Sequence, residues 1–134
     1  MSRSVFSLKV YARFILMVIV MGMIFYLSHQ PGDFSYLPKL IGIDKLLHVI
    51  AYGSLAATLL YGLDPMTKSS SRALTAVGVV FFCILFGISD EYHQSFIPGR
   101  SVSVWDVAAD GLGAFLVVAW WLKWSTSTRL KNSS

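Results

Sequence analysis

Four long apolar runs constrain this chain more than any other feature. They predict helices at about 10–28, 45–63, 73–92 and 104–124. A hydrocarbon core of roughly 30 Å takes about 20 helical residues to cross. Backbone polar groups must also be satisfied internally at that depth, which favours helices over open strands. Four such spans nearly exhaust 134 residues. The expectation is therefore an all-α integral membrane bundle of four transmembrane helices, forming a single membrane domain over 1–134. Only 13% of the residues are charged, against about 25% in soluble chains. The third run has a short apolar core and should continue past Asp90 to reach the interface.

Breakers separate the runs. Gln30-Pro31-Gly32-Asp33 should end the first helix, Asp64-Pro65 with Ser69-Ser70-Ser71 marks the second connection, and Ile97-Pro98-Gly99-Arg100-Ser101 marks the third. Asp44 can cap the second helix and Ser103 the fourth. The polar tail 125–134 is expected to fray. After the first run comes Ser28-His29-Gln30-Pro31, which lacks a small-x-small cleavage pattern, so the run reads as a retained helix. Cys83 is the single cysteine; it can form no internal disulfide and reads as a small buried hydrophobe.

The net charge of +4 reflects topology, with no nucleic-acid partner implied. With both termini cytoplasmic, the inner segments hold Arg3, Lys9, Arg13, Lys68, Arg72, Lys123, Arg129 and Lys131 against Asp64 alone. The outer segments hold Lys39, Lys45 and Arg100, with Asp33, Asp44, Asp90, Glu91, Asp106 and Asp110. The positive-inside rule favours this orientation. Trp120, Trp121 and Trp124 suit an inner aromatic belt, and Trp105 an outer one.

Ionisable groups at membrane depth are costly, so they are found paired or lining a polar cavity. Three sets qualify. Asp44, His48 and Tyr52 recur at i, i+4 and i+8 on one helix face, with Lys45 one turn from His48, so Asp44 is a candidate to orient the imidazole. Asp90 and Glu91 end the third run, with Gln94 one turn on; acids at a helix C-terminus oppose its dipole, which makes simple capping a poor explanation. Asp106 and Asp110 are i, i+4 on the fourth helix, and Asp110 should lie about 6 Å deeper, the most buried charge in the chain. Arg100 is the expected partner of these aspartates, because its planar fork suits carboxylates. Ala108, Ala109, Gly111, Gly113 and Ala114 read as helix-packing residues.

These residues also resemble a family. Ser28-His29-Gln30-Pro31 looks like the Ser-x-Gln-Pro segment of VanZ-like proteins. Asp44-Lys45-Leu46-Leu47-His48, with Tyr52, resembles the family's Asp-Lys-x-x-His-x-x-x-Tyr motif. Asp90-Glu91-Tyr92-His93-Gln94, Pro98-Gly99-Arg100 and Asp106 resemble its Asp-Glu-x-x-Gln, Pro-x-Arg and following Asp. The likeness spans about 25–114. One departure is Asp110, where the family pattern usually has Asn. The resemblance implies a cell-envelope protein linked to resistance to the glycopeptide teicoplanin, without implying a reaction or a cofactor.

Two readings follow for the polar residues. In one, an outward-facing site binds or modifies an outer-leaflet lipid, a cell-wall precursor or a glycopeptide antibiotic. Glu91 or Asp90 would then serve as general acid/base with His48, while Arg100, Lys45, Gln94, Asp44, Asp106 and Asp110 bind the molecule. Spacing alone leaves open acid–base work, phosphate binding or a cation held through oxygens, and it defines no metal ligand set. In the other reading the cluster is an ion-pair network that holds the helices together. An open pocket shared by Glu91, His48 and Arg100 would mark a site; mutual satisfaction would mark architecture. A transport path is disfavoured because the inner halves of the spans lack charge. It would also call for an oligomer of so small a protomer.

Overall fold

In the computed structural model, residues 2–31, 42–63 and 71–132 are described, with side chains described for 11–31, 42–63 and 71–125. They form four helices: α1 (Ser2–Ser28), α2 (Ile43–Leu63), α3 (Arg72–Gln94) and α4 (Val104–Asn132). Each contains a stretch long and apolar enough to cross a membrane. Large apolar side chains such as Ile19, Phe25, Leu46, Leu74, Phe81, Phe115 and Trp120 lie exposed along the bundle. A water-soluble monomer does not carry such a surface, whereas lipid covers it at no cost. The protein is a multi-pass membrane protein.

Two helices run beyond the predicted spans. α1 starts at Ser2 and not near residue 10, and α4 continues to Asn132 in place of a frayed tail. Neither extension contains Gly or Pro. A hydrogen-bonded ladder that has already nucleated propagates through such residues, even where hydropathy has fallen. Hydropathy therefore marks the membrane boundary, and the helix boundary lies elsewhere. Gly32-Asp33, Lys39, Asp64-Pro65, Lys68 and Ser69-Ser70 lie outside the described residues.

The α3–α4 connection follows its sequence closely. The Arg100 N–H donates to Ile97 O at 3.2 Å, with Pro98 and Gly99 between them and Gly99 at φ 75°. Pro at the second position and a positive-φ Gly at the third make a type II turn. Ser103 then caps α4, its Oγ accepting the Trp105 N–H at 3.2 Å. Asp44 does not cap α2. The helix starts at Ile43, the Gly42 carbonyl accepts the Leu46 N–H, and Asp44 lies inside the first turn.

Packing is tightest between α2 and α4. A Cβ placed on Gly113 would strike the backbone of Val49 on α2, and one on Gly53 would meet Gly113 O at 3.4 Å. These glycines bring the two backbones into direct contact, as small residues do in membrane helix pairs. Ala109 and Ala114 are buried along the same helix, but Ala108 is exposed. The core gathers Leu55, Ala56, Leu59, Leu60, Ala76, Val79, Cys83, Ala114 and Val118, with Ile24 from α1.

The two ends of the bundle differ in chemistry. At one, Arg13 lies 4.6 Å over the Tyr61 ring, Arg72 Nη1 donates to Ser125 O at 3.1 Å, and Trp120 stacks on Trp124. At the other meet the end of α1, the start of α2, the end of α3 and the start of α4. All five described carboxylates, Asp44, Asp90, Glu91, Asp106 and Asp110, belong to this second end.

Candidate functional site

The polar end divides along α3, because its two adjacent acids face different neighbours. Asp90 faces α1. Its Oδ2 accepts the Ser28 hydroxyl at 2.8 Å and the Gln94 amide at 3.0 Å. All three side chains are buried. Arg100 reinforces this seam and binds no carboxylate among the described residues: Nη2 donates to Leu27 O at 2.6 Å and Nε to Gln30 O at 3.0 Å. It donates to carbonyls at the end of α1, where Leu27 O also accepts the Gln30 N–H at 3.2 Å. The expected pairing of Arg100 with Asp106 and Asp110 is therefore corrected; the turn at Pro98-Gly99 carries the guanidinium to α1 instead.

Glu91, one residue on, faces α2 and α4. Its Oε2 accepts the Ser103 N–H at 2.8 Å, which ties the end of α3 to the start of α4. Asp106, in the first turn of α4, pairs with the Lys45 ammonium of α2, which also reaches Asp44 at 2.7 Å. One turn deeper, His48 Nδ1 lies 2.8 Å from Asp110 Oδ1. With the carboxylate as acceptor, the proton sits on Nδ1 and Nε2 is the free ring nitrogen. Asp110 is fully buried, as its depth predicted. The His48 and Tyr52 rings stack at 6.3 Å with 9° between planes.

Asp44 therefore does not orient His48. It lies exposed at the rim beside Lys45, and Asp110 takes the role from the opposite helix. The i, i+4 spacing of Asp44 and His48 is real, but a short aspartate on the same helix competes poorly with one facing the imidazole across the interface.

Four buried side-chain atoms among the described residues have no hydrogen-bond partner: Tyr52 OH, Arg72 Nε, Glu91 Oε1 and Asp110 Oδ2. Three of the four belong to this one cluster, and none to the Ser28–Asp90–Gln94 set. Buried orphans cost about 1–3 kcal/mol each, so their concentration at one place is informative. One ligand atom each from His48, Glu91 and Asp106 also lies within 4.8 Å of the other two. An apolar groove of about 590 Å³ opens beside the cluster between α2 and α4, lined by Lys45, Leu46, Val49, Trp105, Ala108 and Leu112 among others. Val49 also lines a second groove that continues down the same seam past Gly53 to Ala57.

The family model VanZ/LLP1 matches residues 13–125. The chain belongs to the VanZ/LLP1 family. The match extends beyond the motif-bearing stretch at both ends, into α1 and the second half of α4. No curated protein and no solved structure matches the chain.

Within this VanZ/LLP1 chain, several site residues escape sequence reasoning. Ser28 was visible only as part of a motif, yet it holds Asp90. Gly87 makes room for Asp110: a Cβ there would collide with Oδ2. Its place on the same α3 face as Glu91 and Gln94 was the available signal. His29 and His93 form a ring pair at the rim, Nδ1 to Nε2 at 3.1 Å, stacked with Phe25. They come from different helices, and their spacing carries no such signal.

Proposed function

We propose that this VanZ/LLP1 protein binds an amphiphilic molecule of the cell envelope, a lipid or lipid-linked precursor. The head lies at the Lys45–His48–Glu91–Asp106 cluster and the tail in the α2–α4 groove. One observation carries the reading: the polar cluster and the apolar groove adjoin, sharing Lys45 at their boundary. From Lys45 to Ala57 the two grooves follow α2 over twelve residue steps, roughly 18 Å at 1.5 Å per residue. That length suits an acyl chain lying along the bundle within one leaflet. The partition of basic residues supports a periplasmic or exterior polar end, in a bacterial cytoplasmic membrane. If the bound molecule is also modified, Glu91 and His48 are the groups able to move a proton. Changed susceptibility to a glycopeptide antibiotic would follow from sequestering or altering such a lipid.

The architectural reading retains the other seam, where Ser28, Asp90 and Gln94 satisfy one another and Arg100 holds the carbonyls at the end of α1. Ala108→Phe separates the two. Ala108 is exposed and lines the groove, so the larger ring fills it without entering the core. Native mass spectrometry of detergent-purified protein exposed to envelope lipid extract should show about tenfold less retained lipid, with thermal unfolding unchanged. Retention equal to the parent protein would discard the groove as a binding site.

A further inference from the structure

The polar end that receives the head is rich in acid: Glu91, Asp106 and Asp110 converge on Lys45 and His48, while Arg100 is committed to α1. We propose that His48, Glu91 and Asp106 bind a divalent transition-metal ion, as a three-ligand site that leaves coordination positions open.

Three independent observations support this assignment. The first is convergence, since one ligand atom from each residue lies within 4.8 Å of the others although they come from three different helices. The second is the free oxygen of Glu91. Its side chain is 4% exposed, Oε2 is held by the Ser103 N–H, and Oε1 has no partner. A buried carboxylate fixed through one oxygen with the other unmatched is a ligand waiting for a cation. The third is the support of His48. Asp110 engages Nδ1 at 2.8 Å from a fully buried position, which leaves Nε2 as donor atom. Carboxylates of this kind orient metal-ligating imidazoles and raise their donor strength.

The donor set selects among metals. One imidazole nitrogen and two carboxylates favour Zn²⁺, Mn²⁺ or Co²⁺ over Mg²⁺ and Ca²⁺, which take oxygen alone. Three protein ligands leave a coordination position for water or a bound group. Lys45 already places one positive charge at Asp106, so the ion and the ammonium compete for that carboxylate. The metal site stands on its own geometry. Only its use rests on the lipid-binding reading, in which the ion supplies the positive charge that an anionic head requires.

The test uses full-length protein purified in lipid-free detergent, stripped with chelator and titrated with Co²⁺. One Co²⁺ per chain is expected, with a visible d–d spectrum free of thiolate charge transfer and bleached by Zn²⁺. Glu91→Gln and His48→Gln should each weaken binding at least about tenfold. Lys45→Met should tighten it, a sign that a purely structural network does not produce. The double variant His29→Ala/His93→Ala should bind as the parent does, which removes the rim histidine pair as the source. Absence of saturable binding in the parent protein overturns the proposal. So does binding that survives Glu91→Gln and disappears with the rim pair. Because the parent spectrum is itself a readout, poorly folding variants leave the test intact. Because no lipid is present, a negative result would not touch the groove reading.

Discussion

Asp90 and Glu91 are neighbours in sequence, both buried, yet they belong to different regions of the molecule. Asp90 lies in the α1–α3 seam, where Ser28 and Gln94 donate to it and Arg100 secures the adjacent helix end. Glu91 lies between α2, α3 and α4, among groups that keep unmatched atoms. A rotation of about 100° around one helix separates a finished network from an unfinished one. The difference shows that burial of a charge does not reveal its purpose. What distinguishes structure from site is whether the partners' bonding capacity is used up.

The comparison predicts opposite phenotypes. The largest effect is expected from Asp90→Ala, which strips Ser28 and Gln94 of their buried acceptor. It should cost about 2 kcal/mol in unfolding measured in mild detergent. Glu91→Gln, in contrast, keeps an acceptor for the Ser103 N–H, so it should cost no more than about 1 kcal/mol while losing ligand. If Glu91→Gln proves the more destabilising, the division between the two regions collapses.

A smaller effect is expected from Asp110→Asn, which restores the amide usual in the family. An amide oxygen still accepts from His48, so the fold should hold. The weaker orienting group should reduce metal affinity by about tenfold, read from the Co²⁺ titration. Unchanged affinity would move Asp110 from the site to the architecture.

The smallest effect belongs to Arg100→Lys. A lysine cannot reproduce the two-pronged contact with Leu27 O and Gln30 O, and about 1 kcal/mol of stability should go with it. Lipid retention should not change. A selective loss of retention with stability intact would return Arg100 to the role of an anion clamp.

The spans, the polar end and the depth of Asp110 were legible in the sequence, because hydropathy and helical rise depend on the chain alone. The pairing of charges was not. Asp44 and Arg100 looked like partners for His48 and the α4 aspartates by type and proximity. The actual partners, Asp110 and the α1 carbonyls, depend on how each helix is rotated about its axis. That rotation follows from backbone approach at Gly53 and Gly113, and from the room that Gly87 leaves for the Asp110 carboxylate; the informative quantity is the side chain that is missing. Helix length was likewise hidden: α1 and α4 outrun their apolar stretches because nothing in the flanking residues stops them.

Among its described residues, α1 contributes only Ile24 and Ser28 as buried side chains. It is fastened at the two ends of its apolar stretch, by Ser28 and the Arg100 clasp at one, and by Arg13 and Phe14 against Tyr61 and Gly62 at the other. Between these points Met17, Val20, Met21 and Ile24 pack against the core, and the remaining side chains lie exposed. Tilt absorbs hydrophobic mismatch and is restrained by packing against neighbouring helices; of the four spans α1 buries the smallest share, so it is the least restrained. A thinning bilayer would thus pull first on the Ser28–Asp90 bond, making this latch the place where membrane thickness is felt by the protein's interior.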